Sequence, residues 1–195
     1  MTNFVLASKS PRRKELLDTL KIKYDVIESN VDETQVSKEE LPDIYVQKLA
    51  ILKACDVASK LKKEFYVIGA DTIVEYNGEF LGKPKTKDDA YNMIKLLSNK
   101  KHNVFTGICV VNSKTMEFTS TFEKTEVIFK EIEHTEIMKY VSTDEPYDKA
   151  GGYAIQGLAS SFIERINGDY NNVVGLPLFK LSNLLKEEFD IDILD

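Results

Sequence analysis

A chain of 195 residues with 43% hydrophobic and 30% charged side chains has the makeup of a folded globular protein, long enough for one large core or two small lobes sharing a sheet. Its formal charge of −6, from 26 basic and 32 acidic residues, excludes a general nucleic-acid binder with a dominant basic face, so a polyanionic ligand needs a local cluster of cations. No apolar run approaches the roughly 20 residues of a membrane span, Met1–Ala7 form no basic leader, and Cys55 and Cys109 lack a metal-binding pattern; the expectation is a cytoplasmic protein with core thiols.

Asn3–Ala7 reads as a short buried strand, followed by a helix that Ser10 caps and Pro11 opens, with Leu16, Leu17 and Leu20 facing inward. Tyr24–Glu28 reads as a second strand. After the acidic loop Val31-Asp32-Glu33, Pro42 starts a long helix whose inner positions are Tyr45, Leu49, Leu52 and Ala58. Phe65–Tyr76 reads as a long strand with Asp71 in its middle, and Asn77-Gly78 suits a type I′ turn that returns through Glu79–Leu81.

Thr86 and Asp89 have the spacing of a capping box for a helix with Met93, Leu96 and Leu97 on its inner face. Val104–Val111 and Thr119–Phe129 read as an antiparallel pair around Asn112-Ser113-Lys114. A helix over Thr135–Val141, a loop from Asp144 to Tyr153, a strand over Ser161–Ile166 and an amphipathic helix opened by Pro177 complete the chain. No repeat or flexible linker divides it, so the expectation is one domain, 1–195, of two structural halves.

Nucleoside triphosphates carry about four negative charges near neutral pH, and binding them takes backbone N–H groups, cations and usually a divalent metal. Ser8-Lys9-Ser10-Pro11-Arg12-Arg13 supplies hydroxyls, a helix start and two forked guanidinium groups. An ordinary capped helix with solvated arginines fits the same residues. The Walker A string is absent. Gly69-Ala70-Asp71-Thr72 sets one carboxylate among small residues in an apolar strand, either a general base or metal ligand, or a core aspartate satisfied by a partner. Lys53, Lys83 before Pro84, and Lys149 are further cations. Gln156, between glycines 152 and 157, offers a donor and an acceptor to a base edge.

The motifs Leu6-Ala7-Ser8-x-Ser10-Pro11-Arg12-Arg13, Gly69-Ala70-Asp71-Thr72-Ile73-Val74, Gly82-Lys83-Pro84, Lys149-Ala150-Gly151-Gly152-Tyr153-Ala154-Ile155-Gln156-Gly157 and Val173-Val174-Gly175-Leu176-Pro177-Leu178 stand in an order that closely resembles the Maf family of nucleoside triphosphate pyrophosphatases. The likeness covers essentially the whole chain. It implies a mixed α/β fold, an extended twisted sheet flanked by helices, with two lobes and a central cleft holding the site, as in Maf/Ham1 and ITPase-like proteins. It also implies a homodimer and a hydrolase of phosphoric anhydride bonds that releases the monophosphate and pyrophosphate.

On that resemblance the catalytic set is Asp71, Lys53 and Lys83, and the substrate-binding set is Ser8, Arg12, Arg13, Thr72 and Gln156. Glu33 and Asp71 are the implied ligands of a divalent cation, Mg2+ or Mn2+. Ala70-Asp71-Thr72 with Ala154-Ile155-Gln156-Gly157 is similar to the branch acting on dTTP and UTP, including non-standard pyrimidine nucleotides. The rival assignments are a 7-methyl-GTP-type pyrophosphatase and a non-catalytic nucleotide-binding regulator of septum formation. A haloacid-dehalogenase phosphatase expects Asp-x-Asp, which Asp71-Thr72-Ile73 lacks.

Overall fold

The computed structural model describes residues 3–194; Met1, Thr2 and Asp195, the ends of the expected domain and part of the leader reading, lie outside the described residues. Phe4–Leu6 (β1) is buried throughout and pairs in parallel with Tyr24–Val26 (β2) and with the start of Tyr66–Tyr76 (β3). Parallel neighbours need crossover connections. These are supplied by Pro11–Thr19 (α1) between β1 and β2 and by Pro42–Ala58 (α2) between β2 and β3.

At the far end of β3, Asn77 and Gly78 both take the positive φ of a type I′ turn, and Glu79–Leu81 (β4) returns antiparallel. Lys87–Leu97 (α3) is followed by Lys101–Asn112 (β5) and Phe118–Phe129 (β6). The short connection 113–117 makes this neighbouring pair a hairpin. His134–Tyr140 (α4), Ile163–Asn167 (β7), Tyr170–Val174 (α5) and Leu178–Phe189 (α6) follow, with β7 antiparallel to β6. The seven-stranded sheet runs β2-β1-β3-β5-β6-β7, with β4 on β3. The expected mixed α/β architecture is therefore present.

The chain divides into two compact units. The first holds residues up to Asp71, Thr106–Glu123, and Gly175 onward; the second holds Thr72–Phe105 and Lys124–Val174. In the first, Ala50, Ala54, Val57 and Ala58 of α2 pack on Val5, Ala7, Val67, Cys109 and Val111. The helix sits close to the strands because the facing residues are small. A methyl built on Gly69 would come inside 3.0 Å of Ala50 O and the Ala54 side chain, and one on Gly107 inside 3.0 Å of the Val46 backbone.

Several expectations change in this unit, among them Leu20, which is half-buried just past α1 while Leu16 and Leu17 face inward. Leu52 is only half-buried, because the inner face of α2 runs through Tyr45, Val46, Leu49, Ala50 and Ala54. Ser10 occupies the N-cap position of α1, yet its side chain makes no capping bond. Of the two expected core thiols, Cys109 is buried and Cys55 half-buried.

In the second unit, Thr86 Oγ1 accepts from Asp89 N while Asp89 Oδ2 accepts from Thr86 N, which is the expected capping box. The inner face of α3 is Ala90, Ile94 and Leu97; Leu96 is turned outward and 44% exposed, against expectation. The strand expected from Ser161 starts at Ile163, because Leu158–Phe162 forms a 3-10 turn. Phe129 lies at the centre of an aromatic cluster, with the rings of His102, Tyr153 and Phe162 edge-on to it.

Replacing Gly107 with Ala forces backbone apart at the α2 contact, where no flexible side chain can yield. We expect a loss of about 1–3 kcal/mol or more in unfolding free energy, measured by urea titration. His102 is 2% exposed, its Nε2 pairs with the Tyr153 hydroxyl at 2.6 Å, and burial pushes its pKa down to about 4. The folded state thus disfavours the charged ring. Stability from this group is fully present above the unfolded value of about 6.5 and is lost as pH falls toward 4, by about 3 kcal/mol. Comparing wild type with His102→Gln between pH 7 and pH 4 should show a shallower decline in the variant.

Candidate active site

Ser8 ends the extended run after β1 and is 9% exposed. Its Oγ accepts from Ser10 N at 3.2 Å and from Arg13 Nη1 at 3.2 Å. Arg13 Nε donates to Gly175 O at 2.8 Å. One planar guanidinium therefore ties the start of α1 to a carbonyl far along the chain. Burial pulls the Arg13 pKa down, the Asp71 charge raises it, and neighbouring Arg12 lowers it. Arg12 lies half-exposed beside it. Lys9 points elsewhere, paired with Glu28 in an exposed ion pair.

Asp71 sits mid-strand in β3, as expected, and is 9% exposed. The partner that a buried carboxylate needs is Lys53 of α2, whose Nζ donates to Asp71 Oδ1 at 2.6 Å. The same ammonium pairs with Glu33 Oε1 at 2.7 Å. Glu33 begins a 3-10 turn, Glu33–Gln35, whose preceding residue Asp32 accepts from Thr34 N. Lys53 and Asp71 side chains are 14% and 13% exposed, whereas that of Glu33 is 56% exposed.

The charge balance at Asp71 has opposing parts. Burial pushes its carboxyl above the ordinary aspartate value, the Lys53 and Arg13 charges pull it down, Glu33 pushes it up, and the net direction is upward. A carboxylate so placed is a stronger proton acceptor than a solvated one. Asp71 and Glu33 also form a hard-oxygen pair converging on one cation, of the kind that suits Mg2+ or Mn2+ when phosphate oxygens complete the shell. The donor set fits that group. Among the described residues, no cluster of three or more His, Cys, Asp or Glu side chains offers a protein-only cage.

The first unit thus brings together Arg13 with Ser8, and Lys53 with Asp71 and Glu33. Thr72, Lys83 and Gln156 belong to the second unit. Thr72 and Gln156 are half-buried there. Lys83 is exposed, between Gly82, whose carbonyl accepts from Gly151 N at 3.0 Å, and buried Pro84. Lys149, the other candidate cation, braces its own loop through Glu145 O and Asp148.

Tyr45 was legible only as a core position of α2. Burial raises its hydroxyl pKa, and the Asp71 and Glu33 charges raise it further, so it shares their electrostatic environment. Its place two helical turns before Lys53 was the available signal. Gly175, the carbonyl partner of Arg13, gave none.

Cations at a helix start beside a buried, lysine-braced carboxylate suit a protein that grips a polyanion and draws a proton from water, the work of a phosphoanhydride hydrolase. The family described as Maf, Maf-like protein, matches residues 3–188, and the chain belongs to it. A dTTP/UTP pyrophosphatase of Thermoanaerobacter sp. (strain X514) is 53% identical over 97% of this chain and 98% of its own. One from Alkaliphilus oremlandii (strain OhILAs) is 50% identical over the full length of both. One from Clostridium botulinum (strain Eklund 17B / Type B) is 48% identical over 94% of this chain and 97% of its own. A solved nucleoside-triphosphatase / dITP/XTP pyrophosphatase from Mycobacterium abscessus is a distant likeness, 13% identical over 67% of this chain and 76% of that one, with a TM-score of 0.40. No helix among the described residues is long and apolar enough to cross a membrane.

Arg13→Lys keeps the charge but loses the fork, and one ammonium cannot replace both the Gly175 and the Ser8 contacts in their present geometry. We expect a loss of about 1–3 kcal/mol in unfolding free energy, read by chemical denaturation.

Proposed function

We propose that this chain hydrolyses dTTP and UTP to the nucleoside monophosphate and pyrophosphate, and in doing so removes non-standard pyrimidine triphosphates. The observation that carries the mechanism is the buried Asp71 held by Lys53 at 2.6 Å. The substrate assignment draws on the names of the relatives, 48–53% identical over nearly the whole chain.

In this reading Asp71 takes a proton from water as the water oxygen attacks phosphorus. The anhydride bond between the α and β phosphates breaks, and pyrophosphate departs with the bonding electrons. Lys53 keeps Asp71 oriented and offsets the negative charge of Glu33. Arg12, Arg13 and Ser8 hold the triphosphate, and Lys83 stabilises the charge that grows on the leaving group. Gln156 and Thr72 select the base. A divalent cation held by Asp71 and Glu33 would neutralise the triphosphate. The reading extends, with the family resemblance as its support, to a cytoplasmic homodimer.

The test is release of pyrophosphate from dTTP, UTP, purine triphosphates and 7-methyl-GTP by the purified protein with Mg2+ or Mn2+. The expected result is a preference for dTTP and UTP by about 10-fold or more in kcat/KM. Asp71→Asn, which preserves shape and removes the base, should lower kcat by about 100-fold or more. Preference for 7-methyl-GTP would replace the substrate assignment. Tight nucleotide binding without turnover would replace the enzyme by a nucleotide-binding regulator.

A further inference from the structure

The segment carrying Gln156 has little regular structure of its own. It passes through the 3-10 turns Glu145–Asp148 and Ala150–Gly152 and ends at the 3-10 turn Leu158–Phe162. Such short turns satisfy few of their own backbone groups. The side chain that reaches its far end comes from its start, Glu145.

Glu145 Oε2 accepts from Leu158 N at 2.9 Å, and Oε1 accepts from Ala159 N at 3.2 Å. The carboxylate thereby caps the last turn in place of Gly157, which has no side chain to do so. The backbone carbonyl of the same Glu145 accepts from Lys149 Nζ at 2.6 Å. Glu145 is therefore bound to both ends of the stretch between Lys149 and Leu158. The fit is close. Gly157 has φ +100, and a methyl built on it would stand 2.9 Å from each carboxylate oxygen.

The middle of the stretch is pinned as well. Tyr140 OH donates to Gly152 O at 3.0 Å, and the Tyr153 hydroxyl pairs with His102 Nε2 at 2.6 Å. Gly151 N donates to Gly82 O at 3.0 Å, which couples the stretch to the residue before Lys83. Gln156, immediately before Gly157, is half-buried in a loop whose two ends are joined by one residue, Glu145, through its carbonyl and its carboxylate.

We propose that Glu145 is a positioning residue for base selection: its carboxylate closes the loop that presents Gln156, and so sets which base the enzyme accepts. The inference rests on the proposed pyrimidine triphosphate hydrolysis and on Gln156 as the base contact. A carboxylate accepting two N–H bonds is the stronger form of this clamp. A carboxamide of the same shape keeps one acceptor oxygen and turns an N–H group toward another N–H.

Glu145→Gln should therefore raise KM for dTTP about 10-fold, lower the kcat/KM preference for dTTP over dATP about 10-fold, and change saturated kcat by no more than about 3-fold. Glu145→Ala removes both acceptor oxygens from Leu158 N and Ala159 N and should give the same split.

A folded Glu145→Gln with wild-type KM and selectivity overturns the inference while leaving the hydrolase reading intact. Equal losses on dTTP and dATP, or loss of the folded circular dichroism spectrum in both single variants, also overturn it, because they mark a structural role. Absence of dTTP hydrolysis in the wild type overturns the functional reading, and this inference with it.

Discussion

The site depends on how near α2 can come to the sheet. Helices usually stand about 10 Å from a sheet, separated by side chains on both faces. Here Ala50, Ala54 and Ala58 recur every fourth residue, and Gly69 and Gly107 face the helix without side chains. That approach has a chemical result, since Lys53 lies on α2 just before Ala54, and Asp71 lies on β3 two residues after Gly69. The contact that seats the helix therefore also sets the reach of the lysine, and Lys53 Nζ meets Asp71 Oδ1 at 2.6 Å. Bulk added under the helix would move the cation from the carboxylate even where the core tolerated it.

Electrostatics then act on what the packing has assembled. A carboxylate removed from water resists ionisation, and pairing alone would overcompensate and make it a poor base. At Asp71 the Lys53 and Arg13 charges oppose burial without overcoming it, and Glu33 draws on the same ammonium. The chain is acidic as a whole, with a formal charge of −6. Its cations at this site are set by position: Arg12 and Arg13 stand at the start of α1, and Arg13 is fixed by Gly175 and Ser8 rather than swinging in solvent. A fixed guanidinium loses less freedom when a phosphate arrives.

Local rules were legible where both partners lie close in sequence. The Thr86 and Asp89 box, the Asn77-Gly78 turn and the place of Asp71 within a strand follow from spacing alone. Ser10 misled because it has the right residue type at the right position, yet the hydroxyl that organises the turn belongs to Ser8, and its second donor is Arg13. Leu52 and Leu96 misled by one helical step, since hydrophobicity marks a face to within about a residue and the facing surface decides the rest. The short helix α5 and the 3-10 turns have no periodicity to read. Tyr45, Gly175 and Glu145 act through partners brought near only by the fold, and their residue types are equally at home in a core, a turn or a solvated surface.

Two kinds of residue therefore build the candidate site and the loop around Gln156, and sequence shows them unequally. Asp71, Lys53 and the arginines announce chemistry by their charge. The residues around them act by being small: Gly69 and Gly107 admit α2, and in the second unit Gly157 makes room for the Glu145 carboxylate. Each of these glycines has meaning only together with the atom that enters the space it leaves, Ala50 O in one case and a carboxylate oxygen in another. Glycine and its occupant form one structural unit across distant parts of the chain. A change at either member has to be judged by what it does to the charged group that the pair supports.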